Sequence, residues 1–233
     1  MRECIILAGG MGTRLQSVVS DLPKCMAPIN GKPFLFYMFR WLEKNQFNRV
    51  ILSLGYKSGS VIDFAKSDPW PFEIITEVEQ EPLGTGGAIA GALRHCQSEQ
   101  VFILNGDTFF DIDFTNLQHQ HLSHEATLTI AAKPLKNYDR YGSLVCEADG
   151  RITGFLEKNA TLEGIINGGI YLLSLPTTLF DGTSGKFSFE TDILEKKFAV
   201  NRFFAAPDNG YFIDIGIPED YRRAEMDFKT LFV

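Results

Sequence analysis

A short apolar run near the start of the chain, Cys4–Ala8, leads directly into the glycine-rich turn Gly9-Gly10-Met11-Gly12-Thr13-Arg14-Leu15. Glycines let backbone N–H groups crowd around an anion, at backbone angles that other residues resist. Arg14 adds a planar cation to this turn, and Lys24 supplies a second cation further along. The pattern predicts a polyphosphate site at the end of a first strand. It matches neither G-x-x-x-x-G-K-S/T nor G-x-G-x-x-G, the two better-known phosphate loops.

Strand-like and helix-like segments alternate through the first half of the chain. The predicted strands are short, apolar and bounded by turn residues, and they cover Cys4–Ala8, Arg49–Leu54, Phe72–Glu77 and Gln100–Leu104. The predicted helices between them cover Pro33–Asn45, Ser60–Lys66 and Gly87–Cys96. The alternation predicts an α/β fold with a largely parallel sheet and helices on both faces. Ligands bind such sheets at the carboxyl ends of the strands.

The second half of the chain combines hairpin and helix signals. Asp149-Gly150 is a two-residue turn between predicted strands at Ser143–Cys146 and Ile152–Glu157. Further strands are predicted at Ala126–Lys133, Ile165–Leu173 and Tyr211–Asp214, and further helices at Glu190–Phe198 and Pro218–Phe228. Because no linker-like segment divides the chain, we expect one domain over 1–233. Its 1–114 half would bind mainly a nucleotide, and its 115–233 half mainly an acceptor.

Composition argues against several functional classes. A net charge of −7 and a pI near 5.2 disfavour sequence-independent binding of nucleic acid. The four cysteines are scattered, so we expect free thiols in a reducing cytoplasm rather than disulfides or a zinc site. We expect no secretory leader, because no basic region followed by an apolar stretch stands at the start of the sequence. The longest apolar run, Phe34–Leu42, is too short to span a membrane. That run is expected to form a helix that is buried or that faces a partner in a homodimer.

Two aspartates stand beside glycine at the ends of predicted strands, Asp107 after Gly106 and Asp214 before Gly216. Mg²⁺ typically takes one or two protein carboxylates together with phosphate oxygens and water. The pair therefore predicts a Mg²⁺ site beside the polyphosphate. A helix cap or an Asx turn explains either aspartate taken alone.

Other acidic and histidine residues are weaker metal candidates. Asp111 and Asp113 form the D-x-D pattern that a glycosyltransferase would use for a metal, but we expect them to form a turn and a helix cap. His119, His121 and His124 fall on different sides of a predicted helix, which favours a solvated helix end over a metal site.

A second glycine cluster, Gly84-Thr85-Gly86-Gly87, follows Pro82 and precedes a predicted helix. Its backbone can approach a flat base closely, with the side chains of Glu79 and Glu81 near the edge of the base. A helix entry capped by Thr85 is the alternative. That alternative does not explain three glycines so close together.

The second half supplies candidates for an acceptor site. Lys158 follows a predicted strand, where it would suit a second phosphate, although a solvated pair with Glu157 explains it equally well. Asn167-Gly168 and Glu190 can supply hydrogen bonds to hydroxyl groups. Lys158 is thus a candidate contact for a second phosphate, and Asn167, Gly168 and Glu190 are candidate contacts for hydroxyls.

These motifs, in this order, resemble the sugar-1-phosphate nucleotidyltransferase family. The matching segments span nearly the whole chain: 9–15, 23–29, 84–88, 105–107, 157–158, 167–171 and 214–221. The resemblance implies a Rossmann-like three-layer α/β/α fold of the GT-A type, with Mg²⁺ as cofactor. It implies GTP or another nucleoside triphosphate and a sugar 1-phosphate as substrates. Cys25 and Ile217 depart from the residues most frequent at their positions in the family, which are Pro and Thr.

The resemblance also implies roles for individual residues. The residues expected to bind the nucleotide are Leu7, Ala8, Gly9, Gly10, Gly12, Thr13, Arg14, Lys24, Glu79, Glu81, Pro82, Gly84, Thr85 and Asp107. Those expected to bind the sugar phosphate are Gly106, Tyr141, Gly142, Glu157, Lys158, Asn167, Gly168 and Glu190. Asp107 and Asp214 would hold the metal. Those two, together with Arg14, Lys24 and Lys158, would carry catalysis.

The expected reaction is an in-line attack by an oxygen of the sugar phosphate on the α-phosphorus of the nucleotide. The attacking oxygen is already anionic, so catalysis would consist of positioning and electrostatic stabilisation. Three alternatives remain open. They are the same chemistry on another base or sugar, such as mannose 1-phosphate with GTP or a hexose 1-phosphate with UTP or CTP, a glycosyltransferase, and a non-catalytic sugar-nucleotide sensor. A sensor should lack a metal carboxylate or a loop cation, and this chain retains them all.

Overall fold

The computed structural model describes residues 1–10, 22–157 and 161–232. In chain order its strands are β1 Glu3–Leu7, β2 Pro28–Ile29, β3 Lys32–Pro33, β4 Arg49–Leu54, β5 Glu73–Val78, β6 Gln100–Asn105, β7 Thr108–Phe110, β8 Leu128–Tyr138, β9 Ser143–Cys146, β10 Ile152–Leu156, β11 Thr161–Ser174, β12 Phe203–Pro207 and β13 Phe212–Asp214. Its α-helices are α1 Phe34–Lys44, α2 Ser58–Ser67, α3 Gly84–Leu93, α4 Phe114–Ser123, α5 Glu195–Lys197 and α6 Pro218–Leu231. Shorter turns are a 3₁₀ turn at Lys24–Met26, a π turn at Phe189–Leu194 and a 3₁₀ turn at Phe198–Val200.

One nine-stranded sheet takes its strands from both halves of the sequence. Its main path runs β10-β9-β11-β6-β1-β4-β5, and β8 links β11 to β12. Strands β6, β1, β4 and β5 are parallel to one another, as the alternation predicted. Strand β11 runs antiparallel to β6, which makes the sheet mixed. The carboxyl ends of the parallel strands lie at one edge, and this edge carries Gly9, Gly55 and Asp107.

Apolar side chains alternate between the two faces of the parallel strands, as the two-residue period of a strand requires. In β1, Cys4 and Ile6 belong to one core cluster and Ile5 belongs to the other. The first cluster packs α1, α2, α4 and α6 on one face of the sheet. The second cluster packs α3 and the helical segment 189–194 on the other face. The predicted three-layer α/β/α arrangement is therefore confirmed.

Some predicted elements differ from those observed. Helix α3 begins at Gly84 rather than Gly87, and the predicted helix Glu190–Phe198 is broken into π, α and 3₁₀ turns. Strands β2, β3, β7 and β12 are absent from the predicted elements. Helix α1 buries its apolar face within the chain, as one of the two interpretations of that run expected. Within the described ranges, no helix combines the length and apolarity needed to cross a bilayer.

His121 of α4 is part of the core. It is 1% exposed, and its Nδ1 and Nε2 atoms each lie 2.8 Å from a hydroxyl oxygen, of Thr129 and Ser174 respectively. Ser174 donates its own proton to the carbonyl of Ala126, so its oxygen accepts from Nε2–H and Thr129 donates to Nδ1. This arrangement satisfies a neutral imidazole. Burial lowers the pKa of His121 from 6.5 to about 4.

We predict that His121 makes stability depend on pH. Unfolding restores its ordinary pKa, so the unfolded chain binds an extra proton as pH falls from 6.5 towards 4. The contribution of His121 to the free energy of unfolding should therefore be fully present above pH 6.5. It should fall by up to about 3 kcal/mol as the pH drops from 6.5 towards 4. Urea unfolding at several pH values should show a flatter profile for His121→Gln. The exposed His119→Gln is the matched control on the same helix, and an identical flattening there would contradict the assignment.

Candidate active site

A small two-stranded ribbon brings two aspartates together at the carboxyl edge of the sheet. Asp107 lies between β6 and β7, and Asp214 is the last residue of β13. Strands β7 and β13 pair antiparallel with Asp214 opposite Thr108. The N–H of Ile215 donates to the carbonyl of Asp107 at 3.0 Å. The register of this ribbon therefore makes the two carboxylates neighbours.

Lys24 extends its ammonium between these carboxylates. Its Nζ contacts Asp107 Oδ2 and lies 3.7 Å from Asp214 Oδ1, and its side chain is only 14% exposed. Burial and the charge of Asp107 both raise the pKa of Asp214, whereas Lys24 lowers it. The Lys24 ammonium favours the ionised form of both carboxylates and offsets the repulsion between them. The predicted members Lys24, Asp107 and Asp214 thus form one cluster.

Glycines permit the close approach of these groups. A Cβ on Gly216 would lie 2.8 Å from Asp214 Oδ1 and 2.9 Å from Lys24 Nζ. The Gly216 N–H itself donates to Asp214 Oδ1 at 2.7 Å. A Cβ on Gly106 would lie 2.5 Å from the carbonyl oxygen of Leu7. A side chain at Gly106 or Gly216 would therefore clash with neighbouring atoms, which explains why glycine stands beside each aspartate.

A cavity of about 600 Å³ opens at this edge. It is lined by the predicted nucleotide-binding residues that the structure describes: Leu7, Ala8, Gly9, Gly10, Lys24, Glu79, Glu81, Pro82, Gly84, Thr85 and Asp107. We call it the first cavity. Ser53 and Lys186 also line the first cavity, and neither was among the predicted site residues. Gly12, Thr13 and Arg14 lie outside the described residues.

Glu79 forms part of the wall of the first cavity. Its Oε2 accepts the backbone N–H of Leu83 at 3.0 Å. Its Oε1 would lie 2.5 Å from a Cβ on Gly55 and 3.3 Å from one on Gly9. The carboxylate of Glu79 thus packs against the glycine turns that follow β1 and β4.

The second glycine cluster packs against the chain itself. Gly84 has φ +72°, and a Cβ there would lie 2.4 Å from the carbonyl oxygen of Phe187, while one on Gly86 would lie 2.3 Å from the Phe187 ring. We expected these glycines to leave room for a base. The observed close approach of Gly86 is instead to Phe187. Thr85 is not the helix cap, since its hydroxyl donates to Glu190 at 2.7 Å and accepts the N–H of Phe189.

A second cavity, of about 800 Å³, adjoins the first. It is lined by Tyr141, Gly142, Glu157, Asn167, Gly168, Glu190 and Asp214. Asn105 and Glu190 line both cavities. Gly106, which we expected on the acceptor side, lines the first cavity instead because it packs on Leu7. Lys158 lies outside the described residues.

A β-bulge shapes the second cavity. The pairing of β11 with β8 shifts between Asn167 and Ile170, so Gly168 and Gly169 form the bulge. Asn167 accepts the N–H of Gly169 and donates to the hydroxyl of Tyr171, both at 2.9 Å. The amide is therefore oriented before any ligand binds.

Residues weighed as alternative metal ligands have structural roles. Asp113 caps α4 by accepting the N–H groups of Thr115 and Asn116, as predicted. Asp111 accepts the indole N–H of Trp41 at 2.9 Å. Among the residues that the structure describes, no group of three or more His, Cys, Asp or Glu side chains is arranged to hold a metal. A site on Asp107 and Asp214 would therefore complete its ligand set with substrate oxygens or water.

Arg140 also lines the second cavity, although it was not among the predicted site residues. The one feature of the sequence that could have indicated it is its position next to Tyr141-Gly142. Its guanidinium is paired with Asp220 of α6. That contact joins distant parts of the sequence, which local patterns do not reveal.

Comparison with known proteins shows the family of this chain. Residues 3–230 match the family model described as nucleotidyl transferase. The chain is 47% identical over 227 residues to the D-glycero-alpha-D-manno-heptose 1-phosphate guanylyltransferase of Aneurinibacillus thermoaerophilus, covering 97% of this chain and 98% of that protein. It is 42% identical to the protein of the same name from Campylobacter jejuni, covering 94% and 96%.

Among solved structures, the chain is similar to HddC from Yersinia pseudotuberculosis complexed with GMP-PN. The TM-score is 0.89 at 41% identity, and the match covers 98% of this chain and 100% of that one. Family model, sequence relatives and fold therefore agree over nearly the full length of the chain. They confirm the resemblance drawn from the motifs: this chain belongs to the nucleotidyl transferase family.

Proposed function

We propose that this protein transfers the guanylyl group of GTP to D-glycero-α-D-manno-heptose 1-phosphate, giving GDP-heptose and pyrophosphate. The observation that carries the reaction type is the pair of adjoining cavities, with Asp107 in the wall of one and Asp214 in the wall of the other. The choice of base and sugar is supported by the relatives that share most of their length with this chain.

In this reaction an oxygen of the heptose 1-phosphate attacks the α-phosphorus of GTP. A new P–O bond forms as the bond from the α-phosphorus to the β-phosphate oxygen breaks, and pyrophosphate leaves with that electron pair. The attacking oxygen carries its own negative charge, so no general base is needed. The protein's task is to hold two polyanions in line and offset their repulsion. Lys24, Arg14 and Lys158 are the cations proposed for that task.

Mg²⁺ is the proposed cofactor, held by Asp107 and Asp214. The donor set fits it, because both side chains are carboxylates that converge on one cation, the Lys24 ammonium. Bound there, the ion would neutralise charge on the phosphates of the reactants. Lys24 lines the first cavity and is within reach of a phosphate as well as of the two aspartates.

Glu79 is proposed to read the base. The N1–H and the exocyclic amino group of guanine are adjacent donors, and a carboxylate accepts from both. The bond from Leu83 to Glu79 Oε2 would fix the side chain for this purpose. A uracil or cytosine base presents no such pair of donors.

The cellular setting is also a proposal. Four free, scattered cysteines support a cytoplasmic enzyme, and its product would supply the assembly of a capsule, lipopolysaccharide or S-layer glycan. A homodimer remains a prediction.

A substrate panel tests the proposed function. With Mg²⁺ present, we expect pyrophosphate release from GTP and heptose 1-phosphate to exceed that with UTP, CTP or ATP by at least about a hundredfold in kcat/KM. Mannose 1-phosphate should be the weaker acceptor. Faster turnover of a hexose 1-phosphate with UTP or CTP would contradict the proposal.

Glu79→Gln tests whether Glu79 recognises the guanine base. The amide can accept from only one guanine donor, so KM for GTP should rise roughly tenfold or more, while the slow reaction with UTP should not change. An equal effect on both nucleotides would assign Glu79 to structure rather than to base reading.

Gly216→Ala should damage the carboxylate cluster without unfolding the protein. The new Cβ would displace Asp214 or Lys24, so we expect kcat to fall by about 10², the loss typical of one misplaced catalytic group. Gly59→Ala in α2 is the matched control, since a Cβ there meets no atom within 4 Å. Normal turnover by Gly216→Ala, or an equal loss in Gly59→Ala, would count against the cluster's role.

A further inference from the structure

The second cavity presents mostly negative charge to its contents. Among the described residues that line it, the acidic side chains are Glu157, Glu190, Glu195 and Asp214, and Arg140 is the only cation. An acceptor phosphate entering this cavity would be repelled by its walls unless a cation offsets them. Arg140 is the side chain in the described part of the wall that can do so.

Arg140 is held in place rather than free to move in solvent. Its Nη2 lies 2.5 Å from Asp220 Oδ2 and 2.8 Å from the Tyr141 hydroxyl. The guanidinium carbon lies 5.3 Å from the centroid of the Tyr141 ring. Both polar contacts use Nη2, and a guanidinium carries three further N–H groups on Nε and Nη1. A guanidinium fixed through one nitrogen suits a ligand that the other nitrogens bind as a fork.

The anchor, Asp220, belongs to the same motif as the metal-site aspartate. It lies in the first turn of α6, just beyond Asp214 in the chain, and its side chain is 7% exposed. Its Oδ1 lies 2.9 Å from Nη2 of Arg223, whose side chain is 50% exposed. Because Arg140 and Arg223 share the carboxylate of Asp220, these three side chains together carry a net positive charge at the edge of the second cavity.

We propose that Arg140 binds the phosphate of the sugar 1-phosphate and that Asp220 is a positioning residue that aims its guanidinium. The inference rests on the proposed function and adds to it a further phosphate ligand for the acceptor. Arg140 and Asp214 share the wall of the second cavity, so a phosphate bound by Arg140 lies on the Asp214 side. The same segment, 214–220, would thereby set the positions of both the metal and the acceptor.

Steady-state kinetics with a sugar 1-phosphate that the wild type consumes, and calorimetric titration of heptose 1-phosphate and mannose 1-phosphate, test this assignment. For Arg140→Gln we expect KM and Kd for the acceptor to rise roughly tenfold to hundredfold, the loss of one charge-assisted contact. KM for GTP should stay within about twofold, since the change removes acceptor binding alone. Arg140→Lys should recover part of the loss, because it keeps the charge without the fork.

Two further variants separate ligand binding from structure. Asp220→Asn should raise the acceptor KM in the same direction and leave KM for GTP unchanged. Arg223→Gln breaks the other ion pair of the same carboxylate outside the cavity and should change neither. Acceptor affinity unchanged in Arg140→Gln, or a matching loss in Arg223→Gln, would overturn the proposal. Failure of the proposed function would appear instead in the wild type, as a different preferred base or sugar, and the titrations judge Arg140 in either case.

Discussion

Electrostatic repulsion between two carboxylates is the constraint on which this active site depends. Asp107 and Asp214 are neighbours because β7 and β13 pair in one register, and burial raises the pKa of Asp214 further. A positive charge beside the pair offsets this repulsion, and Lys24 supplies one. The same requirement makes the position suitable for a divalent ion and for phosphates. The catalytic role proposed for the two aspartates would therefore use a feature that is unfavourable for folding by itself.

Local patterns predicted the central part of the fold, and they identified residues that the structure brings to one edge of the sheet. Strands such as β1 and β4 are short apolar runs beside turn residues, and parallel packing places their carboxyl ends at one edge. Asp107 was identified because a glycine precedes it at such an end. The described residues expected around the nucleotide line one cavity. Gly12–Arg14 and Lys158 lie outside the described residues, and the binding and catalytic roles of all the site residues remain predictions.

The features that sequence reasoning missed depend on contacts between distant segments. Strand β7 has three residues and is recognisable only through its pairing with β13. The glycines of α3 make room for Phe187, which no local pattern indicates. Arg140 is a candidate phosphate ligand because Asp220 lies beside it in the folded chain and holds its guanidinium. In each case the deciding partner is far away in sequence, so periodicity and turn chemistry carry no information about it.

The two cavities are joined by hydrogen bonds as well as by shared walls. Thr85, at the start of α3, donates to Glu190, and Glu190 lines both cavities. Gly86 and Leu83 also exchange backbone hydrogen bonds with Phe187. These contacts tie the wall of the first cavity to the wall of the second. If the two cavities hold the two substrates as proposed, the fold would set the distance between them, which suits a reaction that depends on alignment.

We propose above all that Asp107 and Asp214 hold one divalent ion between the two substrates. Anomalous diffraction from crystals grown with Mn²⁺, a non-hydrolysable GTP analogue and the sugar 1-phosphate measures this directly. We predict one manganese peak in contact with an oxygen of each aspartate and with phosphate oxygen. A bound nucleotide with no manganese at these carboxylates, or with manganese held on phosphates alone, would contradict it.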